Sequence, residues 1–523
     1  MVLVLLLLLI AVFQTTDLIG DHGSANVASW LLAFLAVVTL AVWFLLLSGY
    51  RRRVRALSLI GVLLSIGVAA VLFRVERISG ELVPEFAFRF ALKPDERMPW
   101  PAPGGFARKP NAPVDLLTAT PLDFPQFLGP GRNASVDHVE LARDWATRPA
   151  RLVWKREIGA GWSAFSAVNG FAVTMEQRGE LEMVTCYRID TGELEWAHAT
   201  AARYDAISGG VGPRSTPTIH EGLVYALGAT GHLLCLDGAT GKCRWRKNLL
   251  KEYGVSPEEE SATLPWARSN SPLIADDLVI VPAGGPKQGR KVSLAAYNKQ
   301  TGDLVWEGGN RQISYSSPAL ATLAGVRQIL SVNEDSASAH DVTTGRVLWE
   351  HPWPAHSNAD PNVSQPVAVG GDRVLLSKGY GQGAALLQIG RSADGAFTVQ
   401  TLWKNPKVLR TKFANVAVRD GYAYGLSDGI LECVDLQTGQ RIWKDGRYRH
   451  GQILGVAGLV LVLAESGEVV LVEASPERPN RVLGRFQAIE GMTWNNIALY
   501  GPYLLVRNAE QAACYELPVE ASL

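Results

Sequence analysis

Residues 235–245, with the sequence CLDGATGKCRW, contain the pattern from which the architecture of the chain can be predicted. A small residue comes first, Thr-Gly begins five residues later, and a Trp stands four residues after the Gly. Four further segments keep this frame at the same internal spacing, which makes it a structural repeat. The five copies occupy residues 186–196, 235–245, 296–306, 339–349 and 433–443.

Each copy is predicted to form a β-hairpin. In the copy at 235–245, Asp237 can cap its own turn, and Gly241 supplies a position with positive φ. Apolar residues precede the turn, and a second short strand that carries Trp245 follows it. A Trp at the same place in every unit supplies a large apolar ring that can pack against the neighbouring unit.

Weaker copies complete the set, because Trp154 before the five copies, Trp403 between two of them and Phe486 after them occupy the same place. Neighbouring aromatic positions are 40 to 61 residues apart, a spacing typical of a four-stranded propeller blade. Eight such strands predict an all-β fold, an eight-bladed β-propeller. The predicted docking residues are Trp154, Trp196, Trp245, Trp306, Trp349, Trp403, Trp443, Gly192, Gly241, Gly302, Gly345 and Gly439.

The two ends of the repeat are predicted to share one blade. Three strands follow Phe486 without a fourth, and the strand around Trp154 lacks three before it. Joining them completes an eighth blade and closes the ring, which removes the open sheet edges that favour aggregation.

The frame resembles the tryptophan-docking repeat of the pyrroloquinoline-quinone (PQQ) propeller superfamily, and the resemblance covers about residues 122–519. Residues 124–133, FPQFLGPGRN, also look like the leader that opens the propeller in many bacterial PQQ-like repeat proteins. The superfamily includes quinoprotein alcohol dehydrogenases and the non-enzymatic outer-membrane assembly-factor B lipoproteins. The resemblance is specific for the fold and weakly specific for function, because the repeated residues hold blades together.

Three apolar runs precede the propeller, at residues 1–13, 28–47 and 56–73. The second and third are about the ~20 residues that a membrane-spanning helix needs. The first is shorter and is interpreted as a marginal transmembrane helix, with a cleaved signal peptide as the alternative. Arginines 51, 52, 53 and 55 place the loop between the second and third runs in the cytoplasm, so that the chain from about Val75 onward faces the periplasm.

Three domains are therefore predicted: a transmembrane helical segment at 1–74, a Pro-rich linker at 75–121 and the propeller at 122–519. Nine prolines between residues 84 and 125 favour an extended, semi-rigid stalk in the linker. The predicted location is the inner membrane of a bacterium, with the propeller on the periplasmic side.

The axial mouth, where the innermost strand of each blade begins, is the predicted functional surface. Cations and amides near one axis could hold an anionic ligand through charge-assisted hydrogen bonds, or could simply satisfy backbone groups at the strand ends. The candidate ligand-binding residues are Arg214, Arg268, Asn270, Asn362, Lys412, Asn415, Gln452, Trp494 and Asn495.

Two classes of function stay open. The first is a non-enzymatic scaffold of the cell envelope that binds a partner protein, through exposed loops such as Leu249–Pro265, and it needs no cofactor. The second is a membrane-bound PQQ-dependent dehydrogenase, which requires a carboxylate-rich calcium site beside the quinone. The segments that begin the innermost strands contain no Asp or Glu, and the chain lacks the adjacent cysteines common in those dehydrogenases. The sequence therefore favours the scaffold and predicts no catalytic residue and no metal ligand.

Composition and the absence of known motifs exclude several other classes of protein. The chain has 523 residues with 50 basic and 50 acidic side chains, so it lacks the basic excess of a nucleic-acid-binding protein. It contains no P-loop, no GxGxxG and no GxSxG motif. The cysteines at 186, 235, 433 and 514 fall at one position of the repeat and are predicted to be buried free thiols, with Cys243 the one candidate partner, for Cys235.

Overall fold

The computed structural model describes residues 2–16, 22–98 and 113–520. Met1 of the first apolar run and residues 99–112 of the predicted linker lie outside the described residues. The chain divides into two compact units, one of Met1–Lys93 with Ala206–Gly210 and one of Pro94–Asp205 with Val211–Leu523.

The first unit is mainly helical. Its helices are α1 (Val2–Thr15), α2 (His22–Val42), which continues into a π-helical turn (Trp43–Leu47), and α3 (Arg52–Leu72). Within the described residues, two helices are long and apolar enough to cross a membrane, His22–Leu47 and Arg52–Leu72. Protein covers almost none of their apolar surface, so they differ from the core helices of a soluble domain.

A two-stranded hairpin follows α3, which the prediction of an extended linker did not include. Strand β1 (Phe73–Ile78) pairs antiparallel with β2 (Pro84–Phe88). Proline is tolerated here because Pro84 is the first residue of its strand. A side-chain pair between Arg77 and Glu85, with an N–O distance of 2.6 Å, joins the two strands.

The second unit is a closed ring of eight four-stranded antiparallel blades, which confirms the predicted eight-bladed propeller. Short elements before and between the blades are α4 (Pro94–Arg97), β3 (Ser135–Val136), β9 (Asp205–Ala206), β10 (Gly210–Val211), α5 (Leu249–Glu252) and α6 (Pro257–Thr263).

Within each blade the strands run from the innermost to the outermost. Blade 1 contains β5 (Ser166–Val168), β6 (Phe171–Arg178), β7 (Leu181–Arg188) and β8 (Leu194–Ala201). Blade 2 contains β11 (Thr218–His220), β12 (Leu223–Leu227), β13 (His232–Asp237) and β14 (Cys243–Asn248). Blade 3 contains β15 (Leu273–Ala275), β16 (Leu278–Gly284), β17 (Val292–Asn298) and β18 (Leu304–Gly308). Blade 4 contains β19 (Ala319–Leu323), β20 (Val326–Val332), β21 (Ser336–Asp341) and β22 (Val347–Pro352).

The second half of the ring continues the same order. Blade 5 contains β23 (Val367–Val369), β24 (Arg373–Lys378), β25 (Gly383–Arg391) and β26 (Phe397–Asn405). Blade 6 contains β27 (Ala417–Arg419), β28 (Tyr422–Ser427), β29 (Ile430–Asp435) and β30 (Arg441–Arg447). Blade 7 contains β31 (Gln452–Val456), β32 (Leu459–Leu463), β33 (Glu468–Glu473) and β34 (Val482–Gln487). Blade 8 contains β35 (Ala498–Tyr500), β36 (Tyr503–Arg507), β37 (Gln511–Glu516) and the early strand β4 (Arg151–Glu157).

Blade 8 joins the two ends of the propeller. Its outermost strand, β4, pairs antiparallel with β37, and Trp154 lies opposite Cys514. Cys514 and its counterparts in the repeat are buried free thiols, whereas Cys243 is exposed and free. Cys243 lies opposite Leu236 because a bulge shifts the register, and Trp245 lies opposite Cys235.

Tryptophans on outermost strands connect most of the blades to the next one. In six of the eight junctions, the indole N–H donates to a backbone carbonyl in the neighbouring blade, at 2.7 to 3.1 Å. The pairs are Trp154 with Ile189, Trp196 with Gly238, Trp245 with Lys299, Trp306 with Val342, Trp403 with Leu436 and Trp443 with Ser475.

The Gly of each Thr-Gly turn lies directly against one of these rings. A Cβ atom added to Gly302 would stand 2.7 Å from Cδ2 of Trp245, closer than real Cβ contacts allow. Each of these glycines also has a positive φ, between 68° and 76°. The same contact recurs for Gly192 with Trp154, Gly241 with Trp196, Gly345 with Trp306 and Gly439 with Trp403.

The leader crosses the axis of the ring. Phe124 pairs with Ala167 on the innermost strand of blade 1, and β3 pairs in parallel with β31 of blade 7. Between them, the Arg132 guanidinium donates to the carbonyls of Ser271 and Pro272, which lead into blade 3, at 3.1 and 3.0 Å. The leader therefore contacts blades on opposite sides of the ring, and its pairing with β31 is at the end of that strand, at Gly455 and Val456.

Candidate functional site

The axial mouth is formed by the segments that lead into the eight innermost strands, on the face opposite the strand pairing of the leader. The five predicted amide side chains all lie in these segments, and all five are buried. We call Asn270, Asn362, Asn415, Gln452 and Asn495 the amide belt.

The amide belt joins neighbouring blades. The Nδ2 group of Asn270 donates to the carbonyls of Ser314 and Ser316 in the segment leading into blade 4, at 3.0 and 2.7 Å. The Nδ2 group of Asn495, ahead of blade 8, donates to the Ser163 carbonyl ahead of blade 1, at 2.8 Å.

The other three members make equivalent bonds. The Asn362 amide donates to the Asn333 carbonyl, and Gln452 donates to the Phe413 and Trp494 carbonyls. Asn415 accepts a bond from the Gln365 backbone N–H at 2.9 Å. The belt therefore satisfies backbone groups at strand starts and fixes the blades around the axis.

The three predicted cations have different surroundings. Arg268 is fully buried, pairs with Glu260 of α6 at 2.6 Å and donates to the Pro282 and Ala283 carbonyls. Its donors therefore hold α6 and its loop against blade 3.

Arg214 and Lys412 lie beside aromatic rings. The Arg214 guanidinium stacks 4.4 Å from the Tyr204 ring centre and also donates to the Gly212 carbonyl. Burial lowers the pKa of Arg214. The Lys412 ammonium lies 5.6 Å from the Tyr380 ring centre.

A cluster of aromatic rings occupies one side of the mouth. The Trp494 ring packs against Trp162 at 4.7 Å and against Phe413 at 5.3 Å, and Phe413 packs against His450 at 4.9 Å. We call these four residues the aromatic cluster. They come from the approaches to blades 1, 6, 7 and 8, and Trp494 and Phe413 are only partly buried. The Trp494 indole N–H donates to Glu465 at 3.0 Å, which fixes the plane of the ring.

A second aromatic pair lies before blades 3 and 4. Trp266 meets the edge of Tyr315 at 5.8 Å, and the Tyr315 hydroxyl donates to the Ser357 carbonyl at 3.0 Å. Sequence reasoning identified Trp494 but not Trp162, Phe413 or this pair. The sequence could have indicated these four aromatic residues, because each stands shortly before the start of an innermost strand.

Glu182 is a buried carboxyl group near the mouth, and its pKa is raised. It lies on β7, is 3% exposed and accepts a bond from the Ala229 backbone N–H of blade 2 at 2.9 Å. Burial raises the pKa of Glu182 to about 7, against the opposing effect of the Arg214 charge.

Glu182→Gln is expected to stabilise the protein at pH 8 by about 1–3 kcal/mol and to have little effect at pH 4. A carboxyl group whose pKa is raised in the folded state contributes less stability as the pH rises from its unfolded pKa, near 4.5, toward 7. Thermal unfolding of both proteins across pH 4 to 8 measures the difference. A gain of equal size at every pH would contradict the shifted pKa.

The mouth does not fit a calcium–quinone centre. Residues 2–16, 22–98 and 113–520 contain no group of three or more His, Cys, Asp or Glu side chains that could hold a metal ion. Glu260 already pairs with Arg268, and Glu465 accepts from Trp494. In the part of the chain that the structure describes, four amide oxygens of the belt have no bonding partner, on Asn270, Asn362, Gln452 and Asn495, but they carry no negative charge. Hard Ca²⁺ takes about 6–8 oxygen ligands in a carboxylate-rich site, so this donor set does not suit the ion.

The repeat, the ring closure and the docking tryptophans define a PQQ-like β-propeller. The family model described as outer membrane protein assembly factor BamB matches residues 180–445, slightly more than half of the chain, and the chain belongs to this family. No curated protein matches the chain significantly.

Solved structures show the same fold. BamB from Moraxella catarrhalis is 17% identical with a TM-score of 0.51, and the alignment covers 70% of this chain and 100% of that chain. Quinohemoprotein alcohol dehydrogenase from Comamonas testosteroni is 14% identical with a TM-score of 0.56, covering 78% and 82%. The quinohemoprotein alcohol dehydrogenase ADHIIG from Pseudomonas putida HK5 is 12% identical with a TM-score of 0.52, covering 79% and 84%. Since the fold is shared by an assembly factor and by oxidoreductases, the fold alone does not assign the activity.

Proposed function

We propose that this protein is a membrane-anchored scaffold of the bacterial cell envelope whose propeller faces the periplasm and binds a partner protein at the axial mouth. The observation that carries the proposal is the set of partly buried aromatic rings at the mouth, next to an amide belt already engaged between blades. Aromatic side chains dominate the energetic centres of protein interfaces, because they bury a large area and lose little rotamer entropy.

The N-terminal helices support the membrane anchor and its orientation. Four arginines lie at residues 51–55, where α3 begins after the first candidate span ends at Leu47. Short loops rich in Arg or Lys stay in the cytoplasm. If α3 then crosses the membrane, the chain after it enters the periplasm.

Cys243 offers a direct test of this orientation, since it is the exposed cysteine and the other four are buried. A maleimide that cannot cross the inner membrane is expected to label the wild-type protein in spheroplasts and not the Cys243→Ser variant. As a control, Tyr50→Cys in the Cys243→Ser background places a thiol beside the arginine loop, at a position 57% exposed. This control is expected to react only after lysis. The reverse pattern would reject the periplasmic propeller.

Binding at the mouth is tested by site-specific photo-crosslinking in living cells. The photoreactive residue p-benzoylphenylalanine replaces Trp494 or Trp266, and a matched control replaces Tyr422, which begins β28 on the opposite face. We expect one discrete polypeptide adduct from each mouth position and none from Tyr422. No adduct from the mouth, or the same adduct from Tyr422, would contradict the proposal.

The dehydrogenase alternative is addressed by titrating the full chain in nanodiscs with PQQ and Ca²⁺. The engaged cations and carboxylates described above lead us to expect no saturable binding. Saturable binding at one site would replace the scaffold by the dehydrogenase.

A further inference from the structure

The junction between blades 4 and 5 lacks the tryptophan bond that six of the eight junctions have. Blade 5 has no Thr-Gly turn, and its outer hairpin instead extends until Arg391 pairs with Phe397. Trp349, the docking residue of blade 4, donates to Gln328 of its own blade at 2.6 Å. Six other tryptophans donate across a junction, so this interface lacks the bond that connects most neighbouring blades.

The extended hairpin leaves a pocket at this junction, which we call the seam pocket. Its volume is about 350 Å³, within the range of small ligand sites. Val326 and Leu348 from blade 4 and Phe397 from blade 5 form its apolar part, and Asp341, Arg346 and Arg391 form its polar part.

Two guanidinium groups from different blades lie at the seam pocket. Arg391 donates from Nε to the Gly395 carbonyl at 3.2 Å and lies 5.6 Å from the Phe397 ring centre. Arg346 is exposed beside it on the blade 4 side. Within the described residues, neither arginine forms a side-chain pair with a carboxylate within 4.0 Å.

The carboxylate of Asp341 is already engaged. Its Oδ1 atom accepts bonds from the backbone N–H groups of Thr343 and Thr344 and from the Thr344 hydroxyl, at 2.8 to 3.0 Å. These bonds form the turn of the repeat. Burial alone would raise the pKa of Asp341, but these bonds and the charge of Arg346 lower it, although Arg346 and Asp341 form no ion pair within 4.0 Å. The N–H groups of Arg346 and Arg391 therefore suit a carboxylate from outside, since Arg binds carboxylates through paired N–H groups.

We propose that the seam pocket binds a segment of a partner protein in which an acidic residue stands next to an aromatic or large apolar residue. The carboxylate lies between Arg346 and Arg391, and the apolar side chain occupies the space beside Leu348 and Phe397. The inference rests on the proposed function in taking the ligand to be a polypeptide, but it concerns a surface separate from the axial mouth.

The probe is acetyl-Ala-Glu-Phe-Ala-amide carrying 4-fluorophenylalanine, titrated with the full chain in nanodiscs and followed by ¹⁹F NMR. The comparison peptide has Gln in place of Glu. We expect the Glu peptide to bind about tenfold more tightly, because charge-assisted bonds to arginine are stronger than neutral ones. The double variant Arg346→Gln, Arg391→Gln should reduce the affinity for the Glu peptide to that for the Gln peptide.

Two controls separate the pocket from general charge and from misfolding. Lys242→Gln removes one positive charge at the position of blade 2 that corresponds to Arg346, directly after the turn Gly, and should leave both affinities unchanged. Ala396→Trp fills the pocket from an exposed position and should weaken both peptides.

Three results would overturn the seam site: equal affinity for the two peptides, no binding of either peptide, or an effect of Lys242→Gln as large as that of the double arginine variant. Any of these results together with retained crosslinking at Trp494 would reject the seam pocket and leave the proposed function standing. If the crosslink at Trp494 is absent but the peptide still binds, the proposed function is rejected and the seam pocket is retained.

Discussion

Glu176→Gln is expected to destabilise the propeller by about 3–5 kcal/mol, one of the two largest single effects we anticipate. Glu176 is fully buried on β6, where it accepts a bond from the Tyr187 hydroxyl at 2.7 Å and pairs with Arg178 at 3.0 Å. Arg507, from blade 8, is also fully buried, and its bonds go to oxygens of Thr174, Met175 and Gly159. Removing the one negative charge leaves two buried guanidinium groups uncompensated, which is far costlier than losing a surface pair.

The pH dependence of this effect has a definite sign. Burial alone would raise the pKa of Glu176, but the charges of Arg178 and Arg507 outweigh burial and lower it. A carboxyl group with a lowered folded pKa contributes stability above its unfolded pKa and loses it as the pH falls through the folded value. The wild type should therefore lose this contribution in acid, and Glu176→Gln should not.

Glu473→Gln is the matched control for this network. Glu473 also bonds three arginines, Arg143, Arg478 and Arg481, but their side chains are 51% to 55% exposed. Exposed pairs contribute about 0–1 kcal/mol, so this variant should unfold within a few degrees of the wild type. Thermal unfolding of both variants compares them directly, and similar losses would refute the buried network as a source of stability.

Gly302→Ala is expected to cost about 3 kcal/mol or more, through two separate contributions. Its φ of +76° disfavours any residue with a Cβ by about 1–2 kcal/mol. In addition, the new methyl group would meet Trp245 at 2.7 Å and push the ring away from blade 3, which loses packing at that junction.

Gly421→Ala isolates the backbone contribution. Gly421 has a similar φ of +84°, but nothing lies within 4 Å of its added Cβ. This variant should therefore lose only about 1–2 kcal/mol. Hydrogen exchange should also show faster opening of blades 2 and 3 in Gly302→Ala alone. Equal losses in the two variants would mean that the Trp contact contributes nothing.

The fold was predictable because its information is local and repeated. Within one turn, a small residue, Thr-Gly and Trp245 appear at fixed spacing, and the same interval recurs along the chain. Blade 8 was predictable by counting strands. The extended outer hairpin of blade 5 was not predictable. The copy of the repeat at Trp403 lacks the Thr-Gly turn, so the sequence does not indicate how far the hairpin extends.

The candidate site was predictable only in position. Sequence placed Asn270 and Arg268 at the mouth, where the structure also has them. It could not decide what they bind, because their partners are distant in sequence and set by packing: Asn270 reaches Ser314, and Arg268 reaches Ala283. For the same reason, the sequence did not show that the leader contacts the blades, since Arg132 donates to a carbonyl about 140 residues away.

Blade 8 can be completed only late in synthesis, because it combines the first strand of the ring with the last three. Strand β4 pairs with β37, and Trp154 is separated from its partner Cys514 by roughly 360 residues. At about 5–20 residues per second, β4 waits roughly 20 to 70 s for its neighbour to be made. Until then the nascent chain has an unpaired strand edge, so assembly of the ring depends on whatever keeps that edge from pairing with other chains.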